Sequence, residues 1–256
     1  MKSITPILKQ KFSNLDSIEE RLQLLKDKYK DETAYIITCG PSLSKHDINQ
    51  LKLKLKDKLV ICIKQAQNIL ENETDFHLLN TYNLSDYSWN SKSIVFWSLS
   101  KSYANEQLQR IIDMKANIDL YIPMLNPPFI DYSQTVQATN NFEDFYMMEK
   151  NTEVKFGIGM MYEMAIPLIL LLGCKKVVSI GWDLGDPKNS STEWNHFYKN
   201  NVNKITRPAN GEIAEKLKST DKLYDWFISK DIDFKIISNE SFVSSKFPRI
   251  TLNDIK

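Results

Sequence analysis

Four short segments carry residue types that bind or activate a ligand. Thr38-Cys39-Gly40-Pro41-Ser42-Leu43 puts a glycine and a hydroxyl directly after an apolar run, and Gly157-Ile158-Gly159 opens a long apolar helical pattern. Gly181-Trp182-Asp183-Leu184-Gly185-Asp186 closes another apolar run with two carboxylates, and Trp194-Asn195-His196-Phe197-Tyr198 holds one of three histidines. Glycine lets backbone approach a ligand closely or take a positive φ. Gly40 with Ser42 and nearby amides would therefore hold a phosphate, or form a tight Gly-Pro turn in which Ser42 caps a helix. Asp183 and Asp186 would bind a ribose, a hydroxyl or a metal, or Asp183 would accept hydrogen bonds from loop amides and hold its turn. His196 is placed to act as a general base near neutral pH, with an exposed loop histidine as the plain alternative.

The scarcity of glycine sharpens these choices. Average usage would give about 18 glycines in a chain this long; there are seven, six of them in three of these regions once Gly173 is counted with Gly181 and Gly185. Other candidates fall away. His77 lies inside an apolar run and reads as core, and His46 reads as a cap or a phosphate contact. Asp231-Ile232-Asp233 is a literal Asp-x-Asp, but it enters its strand from the amino side and reads as a solvated turn. No Gly-Lys-Ser/Thr, Gly-x-Gly-x-x-Gly, His-Glu-x-x-His or Ser-His-Asp ordering is present.

These segments need a frame. Seven short β-branched or aromatic runs, at 34–38, 59–63, 76–79, 94–97, 120–122, 176–180 and 234–237, predict buried strands. Helical patterns separate several of them, at 64–71, 103–116, 158–172 and 212–230, which implies a mostly parallel sheet with helices on both faces. The expected fold is α/β and Rossmann-like, a single domain over 34–256 preceded by a helical extension over 1–33. Ser17-Ile18-Glu19-Glu20 is a capping-box pattern that predicts a helix over 17–30. Residues 123–155, with Pro123 and Pro127-Pro128, read as an irregular lid. Leu51 to Lys56 alternates Leu and Lys and reads as an amphipathic strand or a lysine-faced helix, with a solvated surface or a membrane-docking patch as its two uses. In an open sheet of this kind ligands bind beyond the carboxyl ends of the strands, which is where Gly40 and Asp183 fall.

Composition narrows the function. The chain has 256 residues, 33 Lys and Arg against 32 Asp and Glu, and 42% hydrophobic residues. A near-neutral chain lacks the excess of cations that grips nucleic-acid phosphates, and three dispersed cysteines suggest neither a disulfide framework nor a zinc site. The longest apolar run, Met164 to Leu172, is well short of the ~20 residues that span a bilayer. A cytoplasmic protein is expected, with peripheral membrane contact and self-association left open.

Together, a first strand ending in Gly-Pro-Ser-Leu, a glycine loop opening an apolar helix, the run Leu172-Gly173-Cys174-Lys175-Lys176-Val177 leading to Gly181-Trp182-Asp183, and a histidine loop resemble the bacterial sialyltransferases of glycosyltransferase family 42. They also resemble the related motility-associated flagellar glycosyltransferases and archaeal hydroxymethylpterin pyrophosphokinase-like domains (domain of unknown function 115). The likeness covers about residues 34–240. It implies a GT-A-like variant of the Rossmann-like fold and metal-independent transfer of an acidic sugar, sialic acid-like or Kdo, from a CMP-linked donor to a glycan or glycolipid hydroxyl in surface-glycan assembly. By the resemblance, Gly40, Pro41, Ser42, Gly157 and Gly159 hold the nucleotide, Asn80 touches the donor, Asp183 lies at the site and His196 is the base. Departures are visible too: Thr38-Cys39-Gly40 lacks a glycine and an asparagine, Lys64-Gln65 replaces another asparagine, and Tyr198 or Trp194 stands in for the tyrosines that support the leaving phosphate. Lys64 would suit a different anionic sugar. Pro167 should kink the helix after Gly159. A Mg²⁺-dependent phosphoryl or pyrophosphoryl transferase using Asp183 and Asp186, or a non-catalytic nucleotide- or glycan-binding subunit, are the alternatives.

Overall fold

Successive side chains of an extended chain point to opposite sides, and each apolar run is apolar on both. In the computed structural model, which describes residues 4–80, 87, 89, 92–100, 109, 118–125, 132–145, 154–155, 158–184, 197 and 212–255, these runs form one parallel sheet. Its strands are β1 (Thr33–Ile37), β2 (Leu59–Ile63), β3 (Phe76–Asn80), β4 (Ile94–Ser100), β5 (Leu120–Leu125), β6 (Val154–Lys155), β7 (Lys176–Ile180) and β8 (Asp233–Ile237), in the order β6-β5-β4-β3-β2-β1-β7-β8. Ala34 and Ile36 of β1 face one core with Leu59, Ile61 and Ile63 of β2. Tyr35 and Ile37 face another with Val60 and Cys62. Burial on both faces is what a parallel sheet demands, and it explains why the runs show no polar alternation.

Helices cover both faces. On the first lie α1 (Thr5–Phe12), α2 (Ile18–Leu25), the π-turn Met161–Ala165 with α6 (Ile166–Leu171), and α7 (Glu212–Ser229); on the second lies α3 (Ile48–Leu55). The fold is thus α/β and Rossmann-like, as expected. Leu51 to Leu55 is helical rather than extended, because Leu51 and Leu55, four apart, are the buried pair. The capping box forms: Ser17 Oγ accepts from Glu20 N (3.1 Å) while Glu20 Oε2 accepts from Ser17 N (3.1 Å). The helix ends at Leu25 rather than at residue 30, since the following amides turn away to cap another helix, Asp27 N on Leu171 O (2.9 Å) and Tyr29 N on Leu172 O (3.0 Å).

The 123–155 segment is more regular than expected. β5 runs through Pro123 to Leu125, and α4 (Tyr132–Thr139), α5 (Phe142–Phe145) and β6 follow. Pro123 is tolerated because β6 pairs only with Met124 and Leu125. The helical stretch expected at 64–71 is a 3₁₀ turn, Lys64–Asn68, and the one at 103–116 lies outside the described residues apart from Gln109. Pro167 sits in the first turn of α6, directly after the π-turn, where its missing N–H breaks no helical bond. The kink expected there takes the form of that π-turn, with Ile166 N bonded to Met161 O.

The N-terminal helices share the sheet's core. Leu8, Phe12, Leu22, Leu25 and Tyr29 belong to the same buried cluster as β1 to β5, and Arg21 ties α2 to the start of β5 through Asp119 O (2.7 Å). Leu25→Ala, at a fully buried position, should cost about 2–5 kcal/mol. In urea monitored by far-UV circular dichroism, the whole sheet should unfold earlier in a single transition; a separate early step confined to the N-terminal helices would show them to be an independent unit.

Candidate functional site

The chain leaves β1 to build β2 on one side and later returns to place β7 on the other, so strand order reverses at β1 and the loops after β1 and β7 meet at the carboxyl edge. Such a reversal of strand order opens the crevice in which α/β sheets bind ligands. Four of the sequence-derived residues meet there. Pro41 starts the 3₁₀ turn Pro41–Lys45, and Ser42 follows. The Ser42 amide donates to Asp183 Oδ2 (2.8 Å) and its hydroxyl to Asp183 Oδ1 (2.7 Å). Asp183 is buried, and a carboxylate out of water requires such donors. Asp183 therefore caps, from the β7 loop, the turn that leaves β1.

Gly40 and Gly181 make this closure possible. Gly40 N donates to Gly181 O (2.9 Å). A Cβ on Gly40 would stand 2.0 Å from that oxygen and 2.5 Å from Asp183 Oδ2, although its backbone (φ −66°) is open to any residue. The group that approaches Gly40 closely is the Gly181 carbonyl. Gly181 itself has φ +82°, and a Cβ there would meet Thr38 O at 2.7 Å. The β8 loop closes the other side, with Ser241 Oγ on Trp182 O (2.6 Å) and Phe242 N on Asp183 O (2.9 Å).

A second group lies at the ends of β2 and β3. Lys64, the first residue past β2, has φ +50°, unusual for a residue with a side chain. Its carbonyl is held by His77 of β3 (2.9 Å), whose Nε2 must carry the proton because a carbonyl only accepts. Burial pushes the His77 pKa down to about 4, so the ring is neutral near pH 7. Burial also lowers the Lys64 ammonium, opposed by the Cys39 thiol and the Glu163 carboxylate. Among the described residues the Lys64 ammonium has no hydrogen-bond or ion-pair partner. Asn80 closes β3 and directs Nδ2 toward Glu163 Oε2 (3.5 Å), in the π-turn. Gly159, at φ +117°, opens that turn, and among the described residues nothing lies within 4 Å of where a Cβ would be.

Lys64, Asn80, Glu163 and Gly159 thus gather where Gly40, Pro41, Ser42 and Asp183 form the neighbouring wall. Gly157, Asp186, His196 and Tyr198 lie outside the described residues. Phe197 is described, and its amide donates to Cys39 O (2.9 Å), beside Gly40. Cys39 is no nucleophile, since burial pushes its thiol up to about 11. Asp233 begins β8 at the amino edge and pairs with Lys235 (2.9 Å).

Residues 9–189, more than two-thirds of the chain, match a protein family described as 6-hydroxymethylpterin diphosphokinase MptE-like. The chain belongs to this family. The match begins inside α1 and ends just beyond Asp183, so it includes both walls of the crevice. It agrees with the pterin pyrophosphokinase side of the resemblance, and the family's description is one of group transfer without mention of a sugar. No curated protein matches the chain.

Glu163 was not among the sequence-derived site residues. The signal was available: it is the only charged residue between Ile158 and Leu172. A carboxylate alone in an apolar helix has to meet a polar partner inside the protein.

Two measurements test this account. Gly40→Ala should cost about 3 kcal/mol through overpacking, and Ser42→Ala about 1–3 kcal/mol by leaving Asp183 short of a donor; both are read from denaturant midpoints, and a neutral Gly40→Ala would refute the loop contact. His77 gives a pH dependence. Its folded pKa of about 4 lies below the ordinary imidazole value of 6.5, so the unfolded chain binds the proton first as pH falls. Stability contributed by neutral His77 is complete above about pH 6.5 and is lost between there and pH 4, at about 1.4 kcal/mol per pH unit. His77→Gln should flatten that part of the stability profile, and an unchanged slope would place the titration elsewhere.

Proposed function

We propose that the chain transfers an acidic sugar from a CMP-linked donor to a hydroxyl of a glycan or glycolipid acceptor, with the donor phosphate at the crevice between β1 and β7. The observation that carries this reading is Lys64, a half-buried amine beyond β2 without a hydrogen-bond or ion-pair partner among the described residues, whose charged form burial disfavours. An anion brought to it would favour the ammonium and be stabilised by it in turn. The open backbone at Gly159 supports close approach of the same group, because amides in the first turn of a helical segment lack internal acceptors.

In the proposed reaction the acceptor oxygen bonds to the anomeric carbon while the bond from that carbon to the phosphate oxygen breaks. The electron pair leaves with CMP, where Lys64 stabilises it. His196 takes the acceptor proton, and the bond from Phe197 to Cys39 supports bringing its neighbour His196 to the crevice. Asn80 and Tyr198 would contact the donor. Asp183 holds the wall through Ser42, and that engagement of both its oxygens supports a reaction without a metal at this residue.

The family description favours a second reading, diphosphoryl transfer from ATP to a hydroxymethyl group. That reaction calls for Mg²⁺. Asp183 has both oxygens engaged by Ser42, and Asp186, the second ligand expected for that ion, lies outside the described residues.

Nucleotide release from CMP-N-acetylneuraminate, CMP-Kdo, UDP- and GDP-sugars and ATP, each with Mg²⁺ and with EDTA, separates the readings. CMP release should persist in EDTA and fall about 100-fold or more in His196→Ala. Lys64→Met should raise the donor KM by about 10- to 100-fold. Release only from ATP with Mg²⁺ would establish diphosphoryl transfer instead. Nucleotide binding without turnover, with or without an acceptor mixture, would identify a binding subunit.

A further inference from the structure

A cavity of ≈ 550 Å³ opens at the amino-terminal edge of the sheet, opposite the crevice, between α1, α3 and the turns that lead into β2, β3 and β4. Its wall carries Lys52, Lys56, Lys58 and Lys92, with Leu53 and Glu73 among them. Among the described residues Lys52, Lys56 and Lys58 have no hydrogen-bond or ion-pair partner. Lys52 and Lys58 are half-buried, and partly desolvated ammonium groups without partners favour an anion over water. The carboxylates in the wall do not neutralise them. Asp75 is engaged by Thr5 Oγ1 and by Val60 N (3.0 Å), and Asp57 stands exposed on a turn at φ 60°.

Glu73 adds a second requirement. Its Oε2 is buried without a hydrogen-bond donor among the described residues, a condition that costs about 1–3 kcal/mol unless a ligand supplies one. The fitting group thus carries a phosphate for the lysines and a hydroxyl for Glu73.

The rim says where such a group would come from. Leu53 is 73% exposed and Ile7, next to the lining residue Pro6, is 58% exposed, two of the five large exposed hydrophobic residues among the described ones. Apolar side chains projecting among lysines make the pattern that enters the headgroup boundary of an anionic bilayer. We infer that this cavity binds the headgroup of an anionic, hydroxyl-bearing phospholipid, phosphate on Lys52, Lys56 and Lys58 and hydroxyl on Glu73, and so docks the chain on a membrane by its amino edge. The inference is independent of the reaction at the opposite edge.

The test is co-sedimentation of the full chain with vesicles of equimolar phosphatidylcholine and phosphatidylglycerol, of phosphatidylcholine alone, and of phosphatidylcholine with phosphatidic acid. Binding should require the anionic lipid and prefer phosphatidylglycerol. At roughly fivefold per lysine, removing three should lower partitioning about 100-fold. The variant Lys52→Ala/Lys56→Ala/Lys58→Ala should show that loss, whereas Lys28→Ala/Lys30→Ala/Lys222→Ala, with the same change in net charge, should not. Leu53→Ser should weaken binding further, and Glu73→Ala should abolish the preference for phosphatidylglycerol over phosphatidic acid. Equal loss in both triple variants would reduce the effect to net charge and overturn the site. Absence of vesicle binding, or equal saturation of the cavity by free glycerol phosphate, would overturn the membrane assignment.

Discussion

The carboxylate of Asp183 is the contact on which the two halves of the sheet meet. It sits at the end of β7, yet both of its oxygens are taken by Ser42, which leaves β1. A buried carboxylate is costly unless donors surround it, so once β7 pairs with β1 the Ser42 turn is drawn against the Gly181 loop. That closeness in turn excludes side chains at Gly40 and Gly181. A Gly-Pro-Ser-Leu segment and a Gly-x-Asp segment, separated by about 140 positions in sequence, are thereby two parts of one closure. The closure also limits what these residues can do for a ligand: the Ser42 hydroxyl proton and the Asp183 oxygens are already engaged, and in the proposed reaction an anion would meet Lys64 and the π-turn instead.

Burial governs the chemistry of that second group. The same desolvation that keeps His77 neutral keeps the Cys39 thiol protonated, so neither competes as a charged species at the edge. The same burial disfavours the Lys64 ammonium, and the nearby Glu163 carboxylate favours it. Lys64 reaches this position through a left-handed backbone, normally disfavoured by about 1–2 kcal/mol for a residue with a Cβ. The cost is carried by His77, which fixes the Lys64 carbonyl from the adjacent strand. A strained residue held by a neighbour's side chain, its amine without a hydrogen-bond or ion-pair partner among the described residues, is an arrangement that clusters at ligand sites.

Much of this frame was legible in the sequence, and what was not has physical causes. The seven strands were readable because burial on both faces demands unbroken apolar runs, whereas β6, two residues long, leaves no such run. α1 escaped notice because no side chain caps its N-terminus and its moderately polar sequence, TPILKQKF, shows only Leu8 and Phe12 at helical spacing. α4 and α5 fell in a segment whose prolines suggested irregularity. The importance of Gly40, Ser42 and Asp183 was readable from composition and position, but not that they bind one another, because that pairing depends on strand order. Glu163 illustrates the opposite case: its isolation among apolar residues was visible, while its partner Asn80 became identifiable only when β3 and the π-turn were brought together.

The two proposed sites lie at opposite edges of one parallel sheet, and this constrains how they would work together. All strands run the same way, so every amino end lies at the edge that carries the lysine cavity and every carboxyl end at the edge that carries the crevice. A five-residue strand separates the edges by about 17 Å before the loops are added. A chain docked by its amino edge would therefore hold the crevice away from the bilayer, facing the aqueous phase that supplies a water-soluble nucleotide donor. An acceptor fixed to the same bilayer would have to present its hydroxyl at least that far above the lipid surface. Docking in this orientation would thus select acceptors by length, admitting an extended glycan and excluding a single sugar held at the headgroup level.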